Sequence, residues 1–391
     1  MKKILASVLS ATMLLALAGC STGSGSKNGQ TIAVKLPSVS PLSGGQSTLG
    51  TAIANGVKLA IADKSEELKK LGVELKEFPQ DDQAEPTQGT TIANRLISDK
   101  EVFAVIGTLN SGVAKTIAPV LMPEHVAMVS PANTGVSLTE SGYTNYNRIV
   151  ARDDFQGPAA ARATKETLKA KSVYVLHDKT EYGQGLAGEY AKEAKKIGLD
   201  VKGEEGLNPK DTDFSALLTK VLQTSPDAIF YGGIYDTASL LFKQATDKGY
   251  KGAYLGGDGL DSKDIVDKSG EAANQVYYTS VADNFYGSAE GKKFFDKYKA
   301  KFNSNPDTYA LYGYDAALVA IEGIAKWVKA NPGKTPTRAD IEKAIRETKD
   351  VKGMTGTISF DAKGDNPNAK VYLFQIKNKT YPGVSVAGYS K

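Results

Sequence analysis

The run Val102-Phe-Ala-Val-Ile-Gly107-Thr-Leu-Asn-Ser111-Gly-Val-Ala-Lys-Thr-Ile-Ala-Pro-Val-Leu-Met-Pro-Glu-His-Val126-Ala-Met-Val-Ser130 carries the pattern on which the fold turns. Two short apolar runs, 102–107 and 126–130, predict strands, and the amphipathic stretch between them, 112–123, predicts a helix. A helix carries the chain back over the sheet, so the two strands must lie parallel.

The same alternation extends outward. Strands are predicted at 31–37, 73–78 and 146–150, with helices at 52–64, 87–98 and 136–141. The order then begins again. Strands at 172–177, 201–206, 228–231, 253–256 and 276–280 alternate with helices at 157–171, 185–198, 214–224 and 236–248. At 391 residues the chain is long enough for two domains on a prior of roughly 150 residues each. The expected fold is therefore α/β, with two doubly wound parallel-sheet lobes.

The C-terminal part breaks the tandem. Three helical patterns, 289–302, 308–330 and 337–348, are followed by strand signals at 355–360 and 371–376 and a turn-rich tail. Three helices cannot build a third α/β domain, so they are expected to cover the first lobe, with the last segment returning to the second. Three crossovers between lobes make a hinge. The expected division is 31–151 plus 281–359 for the first lobe, and 152–280 plus 360–391 for the second.

The N-terminus is of another kind. Lys2 and Lys3 precede an apolar stretch too short to be a comfortable membrane span, which reads as a signal peptide over residues 1–20. It ends in Leu17-Ala-Gly-Cys20, which resembles a bacterial lipobox. In such sequences cleavage leaves the cysteine first, and its thiol and amine take acyl chains. Cys20 is the chain's one cysteine, so no disulfide can form within it. Residues 21–30 are Gly/Ser-rich with nothing apolar to bury, a flexible linker. Without Lys2 and Lys3, the balance of 48 basic against 44 acidic residues falls from +4 to +2. No basic run interleaves with aromatics, so no nucleic-acid surface is expected.

Catalytic constellations are scarce. His125 and His177 are the only histidines, which with Cys20 assemble neither a zinc site nor a Cys–His pair. No metal, no cofactor and no enzymatic activity are expected. One dinucleotide-like string, Gly183-Gln-Gly185-Leu-Ala-Gly188, starts five residues beyond the strand end at His177 instead of directly after it. It reads as a glycine-rich helix start.

Strand ends are where open α/β sheets bind ligands. Ser111 follows one, with two readings: a helix cap, or a hydroxyl beside amides that receive an anion. The turn Pro131-Ala132-Asn133-Thr134-Gly135 follows the next. Asp258 stands between glycines at a third, as a turn residue or as the partner of an ammonium.

Several strings together, Ile106-Gly-Thr-Leu-Asn-Ser111, Ser130-Pro-Ala-Asn-Thr134, His177-Asp-Lys-Thr-Glu-Tyr-Gly-Gln-Gly-Leu-Ala187, Tyr231-Gly-Gly233 and Phe360-Asp-Ala-Lys-Gly-Asp365, resemble the leucine/isoleucine/valine-binding proteins. These are type I periplasmic receptors of ABC importers, and the resemblance spans essentially the whole chain after the linker. It implies two lobes on three hinge crossovers closing over one small amino acid, a membrane permease as partner, a monomeric receptor, and an extracytoplasmic, lipid-anchored location. It further implies that Ser111, Ala132 and Thr134 hold the α-carboxylate, Asp258 takes the α-ammonium, and Tyr182 lines the cleft. Leu49 and Ile234 stand where leucine-binding members carry aromatics, with Tyr235 beside the latter. Ala84 and Asn110 replace the family's two cysteines. An apolar side-chain pocket of altered shape is expected. The alternatives are a same-fold receptor for an amide, a urea-like compound or a carboxylate, and a signalling sensor.

Overall fold

Pro37 and Pro79 each interrupt a strand of the first sheet, because proline has no N–H to give to a ladder. The first strand is thereby divided into β1 (Ile32–Leu36) and β2 (Ser38–Ser40). After helix α1 (Ser47–Lys70), the next strand is divided into β3 (Val73–Glu77) and β4 (Gln80–Asp81). The structure is a computed structural model that describes residues 31–283 and 285–390. The signal peptide, Cys20 and the linker lie outside the described residues.

The chain continues through α2 (Pro86–Ser98), β5 (Ala104–Gly107), α3 (Ser111–Leu121), β6 (Ala127–Ser130), α4 (Ser137–Glu140) and β7 (Tyr146–Arg148). Strands β4-β2-β5-β6-β7 form one all-parallel sheet, and the parallel pair β1-β3 joins it through a bridge from Lys35 to Val102. Strands β5 and β6 are buried along their whole length, as strands covered on both faces must be.

A second unit follows: α5 (Asp153–Glu166), β8 (Ser172–His177), α6 (Glu181–Lys196), β9 (Asp200–Gly206), α7 (Ser215–Gln223), β10 (Ala228–Gly232), α8 (Tyr235–Asp247), β11 (Ala253–Gly256), α9 (Lys263–Ser269) and β12 (Val276–Ser280). Then come α10 (Ala289–Phe302), α11 (Tyr309–Ala330), α12 (Arg338–Arg346), β13 (Val351–Lys352), β14 (Thr357–Ile358), β15 (Val371–Lys377) and β16 (Thr380–Tyr389). The second sheet runs β16-β15-β12-β11-β10-β8-β9, parallel except for the hairpin at its edge. Helices α10 to α12 pack on the first unit, with α11 lying along α1. The chain thus passes between the two doubly wound lobes three times.

Three expectations need correction. The tail is not a series of turns: it is the ten-residue strand β16. Asn378 and Lys379 both take left-handed backbone (φ 53° and 49°), the geometry of a tight two-residue hairpin turn. Pro382 and two glycines hide the strand pattern, and an edge strand tolerates them. Helix α5 begins at Asp153, four residues ahead of the expected start at residue 157, and ends at Glu166. Helix α6 begins at Glu181, because Thr180 caps it by accepting from Gly183 N. The glycine string therefore lies inside a helix. A Cβ on Gly183 would sit 2.4 Å from the Gly232 carbonyl oxygen, so this glycine serves close packing of α6 on β10.

Helices α1 and α11 approach through paired glycines. A Cβ on Gly56 would lie 2.1 Å from the Ala310 carbonyl oxygen, and one on Gly313 would lie 2.2 Å from that of Ile53. Backbone cannot yield as a side chain can, so Gly56→Ala should cost about 1–3 kcal/mol of stability. The measurement is urea unfolding, with a lowered midpoint and an unchanged slope.

Candidate functional site

Two loops of the first lobe are stapled together below the cleft. Ser130 Oγ accepts from Asn133 N (2.9 Å) and donates to Asn133 Oδ1 (2.8 Å), which curls the turn after β6. Asn133 Nδ2 reaches across to the Leu109 carbonyl (2.9 Å). Ser111 is the first residue of α3 with Asn110 as its cap, and its hydroxyl accepts from Gly135 N at 3.3 Å. Ser111 is therefore not a cap: it joins the loops after β5 and β6.

Arg148, fully buried at the end of β7, fixes the orientation of this turn. Its Nη1 donates to the carbonyls of Asn133 (3.0 Å) and Gly135 (2.8 Å). In a planar trans peptide the N–H points opposite to the carbonyl, so holding the Asn133 carbonyl turns the Thr134 N–H away from Arg148. The Thr134 hydroxyl is buried near Asp153 without a hydrogen bond of sound geometry to any group. Asp365, from the third crossover, receives Arg148 Nε at 2.6 Å.

The second lobe supplies acid. Asp258 follows β11 between Gly257 and Gly259, both pressed against Tyr182: Cβ atoms there would lie 2.5 Å from its hydroxyl and 3.0 Å from its Cε1. The Asp258 carboxylate accepts from Tyr182 (2.8 Å) and from Tyr309 (3.3 Å), the latter reaching over from α11. Burial raises the Asp258 pKa. Asp153, at the first turn of α5, is buried beside it and accepts from Gln156 Nε2 at 3.2 Å. Its other oxygen has no partner. Burial first, and then the neighbouring Asp258 charge, push Asp153 up to about 8. Two carboxyls thus meet where the lobes join, held by phenols and an amide.

A cavity of about 410 Å³ opens between the lobes, with Ser111 and Tyr182 in its lining. Ala84 and Asn110, at the two positions where the family has cysteines, line it as well. Ala132 and Thr134 are buried in the turn beside Ser111. Ile234 is buried, its Cδ1 3.0 Å from where a Gly259 Cβ would stand. Tyr235 donates across the cleft to the Gly45 carbonyl at 2.7 Å. Leu49 is fully buried in α1 and is not in the cavity lining. Asp153, Tyr309 and Arg148 escaped the sequence reading. Asp153 had a signal, an acidic pair just ahead of Pro158, and the other two had none.

The model of the periplasmic binding protein family matches residues 33–381. A Leu/Ile/Val-binding protein homolog of Brucella abortus is 33% identical over 338 residues, 86% of this chain and 88% of that protein. The leucine-binding protein LivK of Thermotoga maritima superposes with a TM-score of 0.83 at 30% identity, covering 91% of this chain and 99% of that one. The branched-chain amino acid transporter substrate-binding protein LivJ of Streptococcus pneumoniae, solved with isoleucine, has a TM-score of 0.81 at 26% identity, covering 91% and 98%. The chain belongs to the periplasmic binding protein family, of the type that the Leu/Ile/Val-binding proteins represent.

The raised Asp153 carboxyl has a consequence for stability. The folded state keeps this proton up to about pH 8, whereas the unfolded chain loses it near ~3.9. Between those values the fold binds more protons, so stability falls as pH rises, by up to about 1.4 kcal/mol per pH unit. Asp153→Asn should flatten this part of the profile in urea titrations from about pH 4 to 8. A variant profile parallel to wild type would assign the titration to another group.

Proposed function

We propose that this periplasmic binding protein is the extracytoplasmic, lipid-anchored receptor of an ABC importer, and that it captures a small amino acid, branched-chain or related, by hinge closure. The observation that carries this reading is the opposition of charge preferences. One lobe offers the buried Thr134 hydroxyl, the Thr134 N–H turned away from Arg148 and the start of α3. Against these stand Asp258 and Asp153, two carboxyls with no lysine or arginine bonded to them. A zwitterion answers both.

In this reading Ser111, Ala132 and Thr134 hold the α-carboxylate, and Asp258, assisted by Asp153, receives the α-ammonium. Tyr182 orients Asp258, while Tyr235, Ile234 and Leu49 belong to the surround. The lobes divide near residues 151, 280 and 359. Closure is favoured only when both ends of the ligand are met, so the ligand selects the closed form by differential affinity. A permease that recognises the closed form then receives loaded, monomeric receptor. Supporting the transport role are the names of the relatives, which are binding proteins.

An unpaired buried charge is costly, so Asp258→Ala should lose roughly 2–5 kcal/mol of amino-acid affinity. That is a factor of about 30 to several thousand by calorimetry. A ligand lacking the ammonium should bind wild type poorly and be far less affected by the substitution. An affinity within about twofold of wild type would make Asp258 a turn residue and favour a neutral solute.

The anchor has its own test. Full-length protein should partition with membranes and take up labelled fatty acid at Cys20, whereas Cys20→Ala should do neither. Wild type that never carries the label would end the lipoprotein reading.

A further inference from the structure

One buried amide, that of Gln156, connects the two carboxyls that meet where the lobes join. Asp153 and Gln156 are the first and fourth residues of α5, so they share one face of that helix. Gln156 is fully buried, and its Oε1 accepts from Asp258 N at 2.9 Å and from the Thr279 hydroxyl at 2.7 Å. Two donors on one oxygen settle which way the amide faces, because the reverse orientation would set its NH2 against the Asp258 N–H. Nε2 is thereby left to the acids. It donates to Asp153 Oδ1 at 3.2 Å, and it acts on the Asp258 carboxyl as well, against the effect of burial.

Gln156 therefore ties α5 both to the loop after β11 and to β12. It does so without supplying charge. A lysine or arginine here would compensate the carboxyls from within, as Arg148 does for Asp365, and a carboxylate would add to their repulsion. Arg148 acts on Asp153 only at a distance, its bonds being made to the turn after β6, to Thr139 and to Asp365. Tyr182 and Tyr309, the other donors to the Asp258 carboxyl, are neutral too. We propose that Gln156 is a positioning residue of the ammonium site: its amide sets the spacing and direction of Asp153 and Asp258 and leaves the positive charge for the ligand to supply. The inference rests on the amino-acid reading above and deepens it.

The test compares full-length wild type with Gln156→Met and Thr279→Val. The first substitution keeps the length of the side chain and removes the amide, and the second removes only a hydroxyl that fixes its orientation. Leucine, or whichever proteinogenic amino acid binds wild type most tightly, is titrated by calorimetry beside the same molecule without its amino group (isocaproate in the case of leucine). Gln156→Met should weaken the amino acid by roughly 10-fold or more, as removing an outer partner of a metal ligand does. Thr279→Val should weaken it by about threefold, the worth of roughly one neutral hydrogen bond, and carries the comparison alone should Gln156→Met not fold. Isocaproate does not use the carboxyls and should change by less than about twofold. Losses by one common factor for both molecules would overturn the inference, as would an amino-acid affinity within about twofold of wild type in Gln156→Met. Either result leaves the clamp standing, with the amide as packing alone. A second readout needs no ligand and applies even where isocaproate binds too weakly to measure. Without the Nε2 donor the ionised form of Asp153 is less well held, so its loss of stability with rising pH should extend to a higher pH in Gln156→Met than in wild type. Parallel profiles in urea titrations would also overturn the inference. No binding of any proteinogenic amino acid by wild type at millimolar concentration would bring down the amino-acid reading itself, and this inference with it.

Discussion

Arg148 is the interaction on which the rest of the cleft depends. It is fully buried, and its guanidinium bonds to two carbonyls of the turn after β6, to the Thr139 hydroxyl at 2.6 Å, and to Asp365. One planar, permanently charged group thus ties the first crossover, where β7 ends, to the third, where Asp365 sits. Asp365 also receives Arg152 at 3.0 Å, and its pKa is lowered despite burial. Removing either partner of such a pair would leave an uncompensated buried charge, a loss of several kcal/mol (about 3–5). The crossovers and the turn after β6 therefore share one electrostatic node, which also fixes the direction of the Thr134 N–H.

The contrast within the same cleft is informative. Arg148 and Asp365 compensate each other, and Asp365 stays ionised. Asp153 and Asp258 have phenols, an amide and each other, and both carboxyls are raised. A structural ion pair rigidifies, whereas an uncompensated acid pair stores a preference for a cation. On the proposed reading, donors on one side and deficient acids on the other favour closure only around a ligand that meets both. That preference is what a hinge receptor needs, because a ligand shifts closure only by as much as its affinities for the two forms differ.

How much of this the sequence reveals depends on whether the cause is local. The runs forming β5 and β6 are readable because both faces of a covered parallel strand are apolar. Ser111, Thr134 and Asp258 are readable as small or acidic residues at strand ends, and family resemblance adds the roles proposed for them. Strand β16 is obscured because an edge strand can keep Pro382 and Gly383 where a central one cannot. The start of α5 is obscured because Pro158, a good residue for a first turn, lies inside the helix instead. Tyr309 and Arg148 are invisible for a different reason. Their partners Asp258 and Asp365 are far away in the chain, and only the three crossovers bring them together.

The proton completes the physical picture. In the folded protein Asp153 keeps its proton up to about pH 8, and the proton relieves the repulsion that an ionised Asp258 would impose. On the proposed reading, an ammonium entering beside the two carboxyls does the same work with a fixed charge and with directed N–H donors. Such a ligand and the proton would compete for one deficiency, and each would lower the advantage of the other. A cation with no carboxylate would satisfy the acids and leave the Thr134 side of the cleft unmet, and a simple carboxylate would do the reverse. On the proposed reading, selectivity for a zwitterion follows from where the chain leaves its compensation out, on both walls of one cleft, as much as from the contacts it makes.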